Sequence, residues 1–228
     1  MPTSTFASRA LRFYTGLTTP RVPRGVVVMN PYRDGCVRGY VRAFLNKYFS
    51  DNLPRTLVFG INPGRFGAGL TGVTFTDPVA LFERCGIAND LPQVSELSSH
   101  FIYKFIEECG GPQKVYHGHF LTAVSPLGFT REGINLNYYD DPVLARRLTP
   151  FIVSSIERQI ALGGRTDRAI VLGVGENLKF LRKLNEAHGF FGTISALEHP
   201  SWIMVYRRNQ RAKYLAKYQE AFGCSDTP

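Results

Sequence analysis

Four short runs of almost unbroken apolar residues punctuate the chain: TLVFGI (Thr56 to Ile61), HFLTAV (His119 to Val124), AIVLGV (Ala169 to Val174) and TISALEH (Thr193 to His199). Runs of this length without polar alternation predict strands buried on both faces of a sheet. Segments with helical spacing surround them, over Val37–Phe49, Asp77–Cys85, Glu96–Cys109, Asp141–Leu162, Glu176–His188 and Asn209–Phe222. Strand alternates with helix, which predicts an α/β fold: a three-layer α/β/α sandwich around a central, mainly parallel four-stranded sheet with right-handed crossovers. Ligands of such folds bind beyond the carboxyl ends of the strands. No internal repeat, low-complexity segment or linker interrupts the pattern, so a single domain is expected over residues 34–228.

The first 33 residues hold five arginines and no acidic residue, and they lack the continuous apolar core of a secretory signal. They read as a basic, flexible N-terminal arm over residues 1–33, with an organelle transit peptide as the other reading. Composition narrows the class further. No apolar run approaches the roughly 20 residues that a membrane span needs, so no membrane partner is expected. Lys plus Arg outnumber Asp plus Glu by 27 to 18, a formal charge of +9. Such an excess favours polyanionic partners through counterion release, although a solvated basic surface carries the same charge. The four cysteines are far apart with no C-x-x-C pair, which excludes the usual zinc-ribbon and iron–sulfur spacings. They read as reduced, mostly buried thiols of a cytosolic protein.

Among local motifs, GVGENL (Gly173 to Leu178) follows a strand and opens a helix but lacks the third glycine of a dinucleotide fingerprint, and reads as a tight turn. His117 and His119 form an H-x-H pair that shares one face if the segment is a strand, with no further ligands in view, so no metal is expected. His188 before Gly189 marks a helix C-terminus. The loop VFGINPGRFGAGLTGVTF (Val58 to Phe75) packs five glycines behind the first strand and sets Asn62 at its mouth. His199 ends the last strand, with Pro200 and Ser201 behind it. Asn62 cannot take a proton and so would orient a water or a base edge, while His199 can donate to a developing anion. The structural alternatives are Asn62 capping its own loop and His199 as a satisfied buried histidine.

GINPGRFGAGLTGVTF and HPS resemble the two motifs of the single-strand-selective monofunctional uracil-DNA glycosylase family, in a bacterial branch. SELS from Ser95, SPL from Ser125, GINL from Gly133 and VLGVG from Val171 fall between them in the expected order, so the resemblance covers roughly Arg55 to the final helix. It implies a uracil-DNA glycosylase-like fold and hydrolysis of the N-glycosidic bond of uracil, and of other deaminated or 5-substituted bases, leaving an abasic site. It further implies a monomer without metal or organic cofactor, acting on single- or double-stranded DNA at the nucleoid of a bacterial cytoplasm.

By the same resemblance, Asn62 would hold the hydrolytic water and His199 would stabilise the departing base. Phe75 would stack on the flipped base, and the backbone around Gly64 and Ala68 would line the pocket. Gly64 stands where other branches of the superfamily place a bulky residue against a 5-methyl group, which leaves room for 5-substituted uracils. Ala123 departs from the family pattern, standing where an asparagine reads the uracil edge; a pocket without that amide admits xanthine or hypoxanthine. The segment after HPS departs too. There Ser201, Trp202, Ile203 and Met204, followed by Arg207 and Arg208, read as an apolar wedge with phosphate-binding cations, or alternatively as core and solvated surface. Two further functions fit the same residues: a damage-binding module without turnover, and a free-nucleoside hydrolase, against which the basic surplus argues.

Overall fold

A computed structural model describes residues 4–224. In chain order it contains α1 (Phe6–Thr15), β1 (Val26–Met29), α2 (Gly35–Tyr48), β2 (Arg55–Gly60), α3 (Ala68–Thr71), α4 (Pro78–Glu83), α5 (Leu97–Glu108) and α6 (Pro112–Gly118). There follow β3 (His119–Ala123), β4 (Gly128–Arg131), β5 (Ile134–Leu136), α7 (Pro142–Ile160), β6 (Gly164–Leu172), α8 (Glu176–His188), β7 (Thr193–Leu197), α9 (Pro200–Tyr206) and α10 (Arg211–Ala221). The central sheet has the order β3-β2-β6-β7 with every pair parallel. Every residue of β2 and β3 is buried, which is why their sequences show no alternation. The four predicted strands are all present, in a four-stranded parallel sheet flanked by helices.

A second sheet, β1-β4-β5, is antiparallel and has no counterpart in the sequence reading. Its β4–β5 hairpin turns on Glu132 and Gly133, both at positive φ (52° and 73°), as a two-residue hairpin loop of matching twist requires. The strands are only three or four residues long, too short to leave much periodic signal. This hairpin reaches over the ends of the parallel strands and lies against the glycine-rich loop.

The flexible basic arm expected over residues 1–33 is corrected from residue 4 onward; residues 1–3 lie outside the described residues. Thr5 caps α1 by accepting from the Ser8 N–H, and Phe6, Ala7, Ala10, Phe13 and Tyr14 form its buried face. Phe6 covers Arg55, whose guanidinium lies 4.8 Å from the Phe6 ring and 4.9 Å from Phe49. Arg55 is fully buried, paired with Asp51 at 2.8 Å and donating to the Tyr116 carbonyl. Arginine counts dominated the reading of this segment, whereas the i, i+3, i+4, i+7 apolar spacing decided its structure. The buried core runs continuously from Phe6 to Cys224. All four cysteines are free thiols, with Cys36 exposed and the others buried.

Candidate active site

The site lies at the carboxyl ends of the parallel strands, where β2, β3 and β7 each deliver a loop. A cavity of about 210 Å³ there is lined by Asn62, Gly64 and Ala68 from the glycine-rich loop and by Phe75 at its end. Ala123, the last residue of β3, and His199 and Ser201 complete the part of the wall that the sequence singled out. Asn62 comes two residues after β2. Its Oδ1 accepts from the Tyr138 N–H at 3.0 Å, and its Nδ2 donates to the Leu136 carbonyl at 3.3 Å. Asn62 is therefore clamped mainly to the chain after β5, with a longer contact of 3.5 Å from Nδ2 to the Pro63 carbonyl of its own loop. The second lone pair of Oδ1 remains available to a water.

Tyr138 is itself held. Its hydroxyl donates to Asn177 Oδ1 at 2.7 Å, and Asn177 Nδ2 donates to the carbonyls of Leu172 (3.0 Å) and Gly60 (3.4 Å). This buried chain ties the ends of β2 and β6 to the segment that grips Asn62. Within the GVGENL motif the turn accommodates Asn177: Gly173 has φ 120°, and a Cβ there would lie 3.3 Å from that of Asn177.

Three glycines of the loop answer to two neighbours, Phe75 and Glu96. At Gly60 a Cβ would sit 2.7 Å from Phe75 Cζ, so the ring lies directly on the strand backbone. At Gly64 it would lie 2.5 Å from Glu96 Oε1, and at Gly67 it would overlap Glu96 Oε2. The Cβ direction of Gly64 thus points at the Glu96 carboxyl. Sequence reasoning passed over Glu96, which stands inside the quoted SELS; the only signal was an acidic residue beside two serines. Phe75 is a buried aromatic residue at φ 56°, a conformation costing about 1–3 kcal/mol that persists only where its surroundings enforce it. Its ring is 5.8 Å from that of His199.

His199 does not end a strand, because β7 stops at Leu197; it is the N-cap of α9. Its Nδ1 accepts from the Ser201 backbone N–H at 3.3 Å and pairs with Ser201 Oγ at 2.8 Å. A backbone N–H can only donate, so Nδ1 is the acceptor and the ring proton sits on Nε2. Burial pulls the His199 pKa down to about 4, which keeps this imidazole neutral. A neutral ring with Nε2–H free is a hydrogen-bond donor that carries no charge into the site.

The expected wedge after HPS is corrected for two of its members. Ile203 is 0% exposed and Met204 8%, because α9 turns them inward where it packs on α5. Trp202 stays 38% exposed and borders an adjoining cavity of about 410 Å³ that shares Ile61, His199 and Ser201 with the first. Arg207 is exposed with its guanidinium 5.1 Å from the Trp202 ring, and Arg208 is exposed beyond it. His117 and His119 belong to different elements, α6 and β3, so they do not share a strand face. His119 is buried against Phe222, which pulls its pKa to about 4. Among the described residues no group of three or more His, Cys, Asp or Glu is placed to hold a metal ion, and no helix is long and apolar enough to cross a membrane.

The family model described as the uracil DNA glycosylase superfamily matches residues 47–223. Among solved structures, the chain is similar to wild-type SMUG2 of Pedobacter heparinus, with 40% identity and a TM-score of 0.93. That match covers 96% of this chain and 97% of the other. No curated protein matches the chain.

Proposed function

Since the chain belongs to the uracil DNA glycosylase superfamily, we propose that it removes uracil and other deaminated or 5-substituted bases from DNA, as a monomer acting at the nucleoid. At the coarser level it is a DNA repair glycosylase, a hydrolase of N-glycosyl bonds whose partner is DNA. That membership decides against a module without turnover and against a free-nucleoside hydrolase.

The observation that carries the finer reading is the convergence of Asn62, Phe75 and the neutral His199 donor on one cavity at the strand ends. A flipped nucleotide enters the cavity and its base stacks on Phe75. As the glycosidic bond breaks, negative charge grows on the base and positive charge on the sugar. Nε2–H of His199 donates to the base as its charge develops, in a sheltered site where a fixed donor acts most strongly. A water bound to the free lone pair of Asn62 Oδ1 captures the sugar through its oxygen, and the proton it sheds balances the charge of the departing base anion. Tyr138 and Asn177 keep that oxygen in place, so the water is positioned before the bond breaks. Trp202, stacked with Arg207 at the rim, is suited to the opened base step and its phosphate.

The test uses end-labelled single- and double-stranded oligonucleotides, each with one uracil, 5-hydroxymethyluracil, xanthine or hypoxanthine. Incubation followed by alkali cleavage of abasic sites reports excision. Cleavage at the lesion supports the reading, and absence of cleavage on every substrate overturns it.

A further inference from the structure

We propose, resting on the glycosylase reading above, that the Glu96 carboxyl reads the edge of the bound base, supplying the donor and acceptor pair that an asparagine would supply at position 123. Glu96 starts from a fixed backbone: its N–H donates to Asp77 Oδ2 at 2.7 Å, while Asp77 Oδ1 accepts from Ala80 N at 2.7 Å. From there its side chain crosses to the cavity wall and lies on the bare backbone of Gly64 and Gly67. Two glycines in one loop are needed to admit this one carboxyl. Among the described residues no Lys or Arg forms a salt bridge with it.

The neighbouring polar groups are already partly engaged. The Asn62 amide is held by Leu136 and Tyr138, Asn135 Oδ1 accepts from the Arg65 N–H, Asn137 donates to Asp140, and His199 Nδ1 belongs to Ser201. Glu96 has the Ser98 hydroxyl beside it and hydrogen-bonding capacity to spare. Glu96 is half-buried, and its desolvation, with the Asp77 charge adding to it and the Ser98 hydroxyl opposing it, raises its pKa from the ordinary value. A neutral carboxyl presents an O–H donor beside a carbonyl acceptor, as a carboxamide presents N–H beside C=O. Its proton can sit on either oxygen, so it pairs with an adjacent N–H and C=O in either order. Uracil, hypoxanthine and xanthine all carry such an edge, and a reader of this kind suits a pocket that accepts both ring sizes.

The test compares the full chain with Glu96→Gln and Glu96→Ala. Affinity is measured for duplexes carrying one 2′-fluoro-2′-deoxyuridine, which resists cleavage, and for the undamaged duplex. Single-turnover excision of uracil and xanthine and thermal melting accompany it. Loss of the reader leaves base polar groups unpaired, so Glu96→Ala should lower the ratio of lesion to undamaged affinity on the order of tenfold to a hundredfold. Glu96→Gln keeps a donor and an acceptor and should hold that ratio within about fivefold. It should also lose a fall in excision that the wild type shows with rising pH as its carboxyl ionises. Asp77, Ser98 and Asn135 face Glu96 from neighbouring segments, and none of them changes between the two proteins; the Arg65 guanidinium is turned to the Gly133 carbonyl.

An unchanged affinity ratio in a folded Glu96→Ala overturns the inference. So does a Glu96→Gln that loses as much as Glu96→Ala, which would assign the carboxyl to proton transfer. If Glu96→Ala does not fold, the Glu96→Gln ratio and pH profile decide. A wild type that neither excises nor prefers the lesion overturns the glycosylase reading along with this one. Wild-type excision with unaltered variants overturns this one alone.

Discussion

Replacing His199 by alanine should slow excision on the order of a hundredfold to a thousandfold, about 2.7–4 kcal/mol, the usual loss when one fixed donor to a developing anion is removed. The structure sets this size. Nδ1 is saturated by Ser201 at 2.8 and 3.3 Å, so the reacting group has one polar contact to gain from the ring, through Nε2–H. His199→Gln returns an N–H donor of similar reach and should recover part of the loss. Ser201→Ala removes the hydroxyl partner and keeps the backbone one; losing a neutral hydrogen bond of about 0.5–1.5 kcal/mol predicts roughly a twofold to twelvefold fall. Since His199 titrates at about 4 instead of the ordinary 6.5, its contribution should stay flat across neutral pH, with no inflection near 6.5. The sign for stability follows from linkage. Between the two values the unfolded chain binds the extra proton, so stability is full above 6.5 and falls as pH drops toward 4, with His119 acting in the same direction. Single-turnover excision with enzyme in excess, from about pH 5 to 8, measures the first effect, and thermal melting over the same range measures the second. A His199→Ala rate within threefold of wild type, or an activity limb centred near 6.5, would refute the neutral-donor argument.

Asn62→Ala should abolish most excision and also destabilise the fold by about 1–3 kcal/mol, because the Tyr138 N–H and Leu136 carbonyl lose their partner; melting temperature and single-turnover rate separate the two, and an unaltered rate removes Asn62 from water positioning. Ala123→Asn should raise the ratio of uracil to xanthine excision by roughly fivefold or more, since it adds a buried amide that a mismatched base leaves unpaired; an unchanged ratio in a folded variant assigns specificity elsewhere in the wall. Trp202→Ala should weaken DNA binding with little change in melting temperature, whereas Ile203→Ala should cost about 2–5 kcal/mol of stability. Equal melting temperatures for those two variants would contradict the orientation of α9.

The alternation of apolar runs and helical periods by itself determined the central sheet, since strands buried on both faces must be apolar throughout and parallel strands must be joined by crossovers. The same logic put Asn62 and His199 at one edge, because each follows a strand and a parallel sheet delivers all its carboxyl ends to one side, whereas Ala123 was singled out by the family resemblance alone. What needed the tertiary structure were contacts between segments distant in the chain. Which glycine admits which neighbour depends on Phe75 and Glu96 arriving at Gly60, Gly64 and Gly67, and no local pattern records that approach. Nor could a local pattern show that Asn62 is gripped by Tyr138, far along the chain, or that Asn177 in an apparently plain turn holds that grip. Trp202, Ile203 and Met204 are consecutive apolar residues; only the packing of α9 on α5 exposes the first and buries the other two. At the N-terminus the amphipathic period of α1 was present in the sequence but was outweighed by its arginines. Charge is read at once from composition, while the worth of an apolar stripe depends on the surface that awaits it, here Arg55 between Phe6 and Phe49.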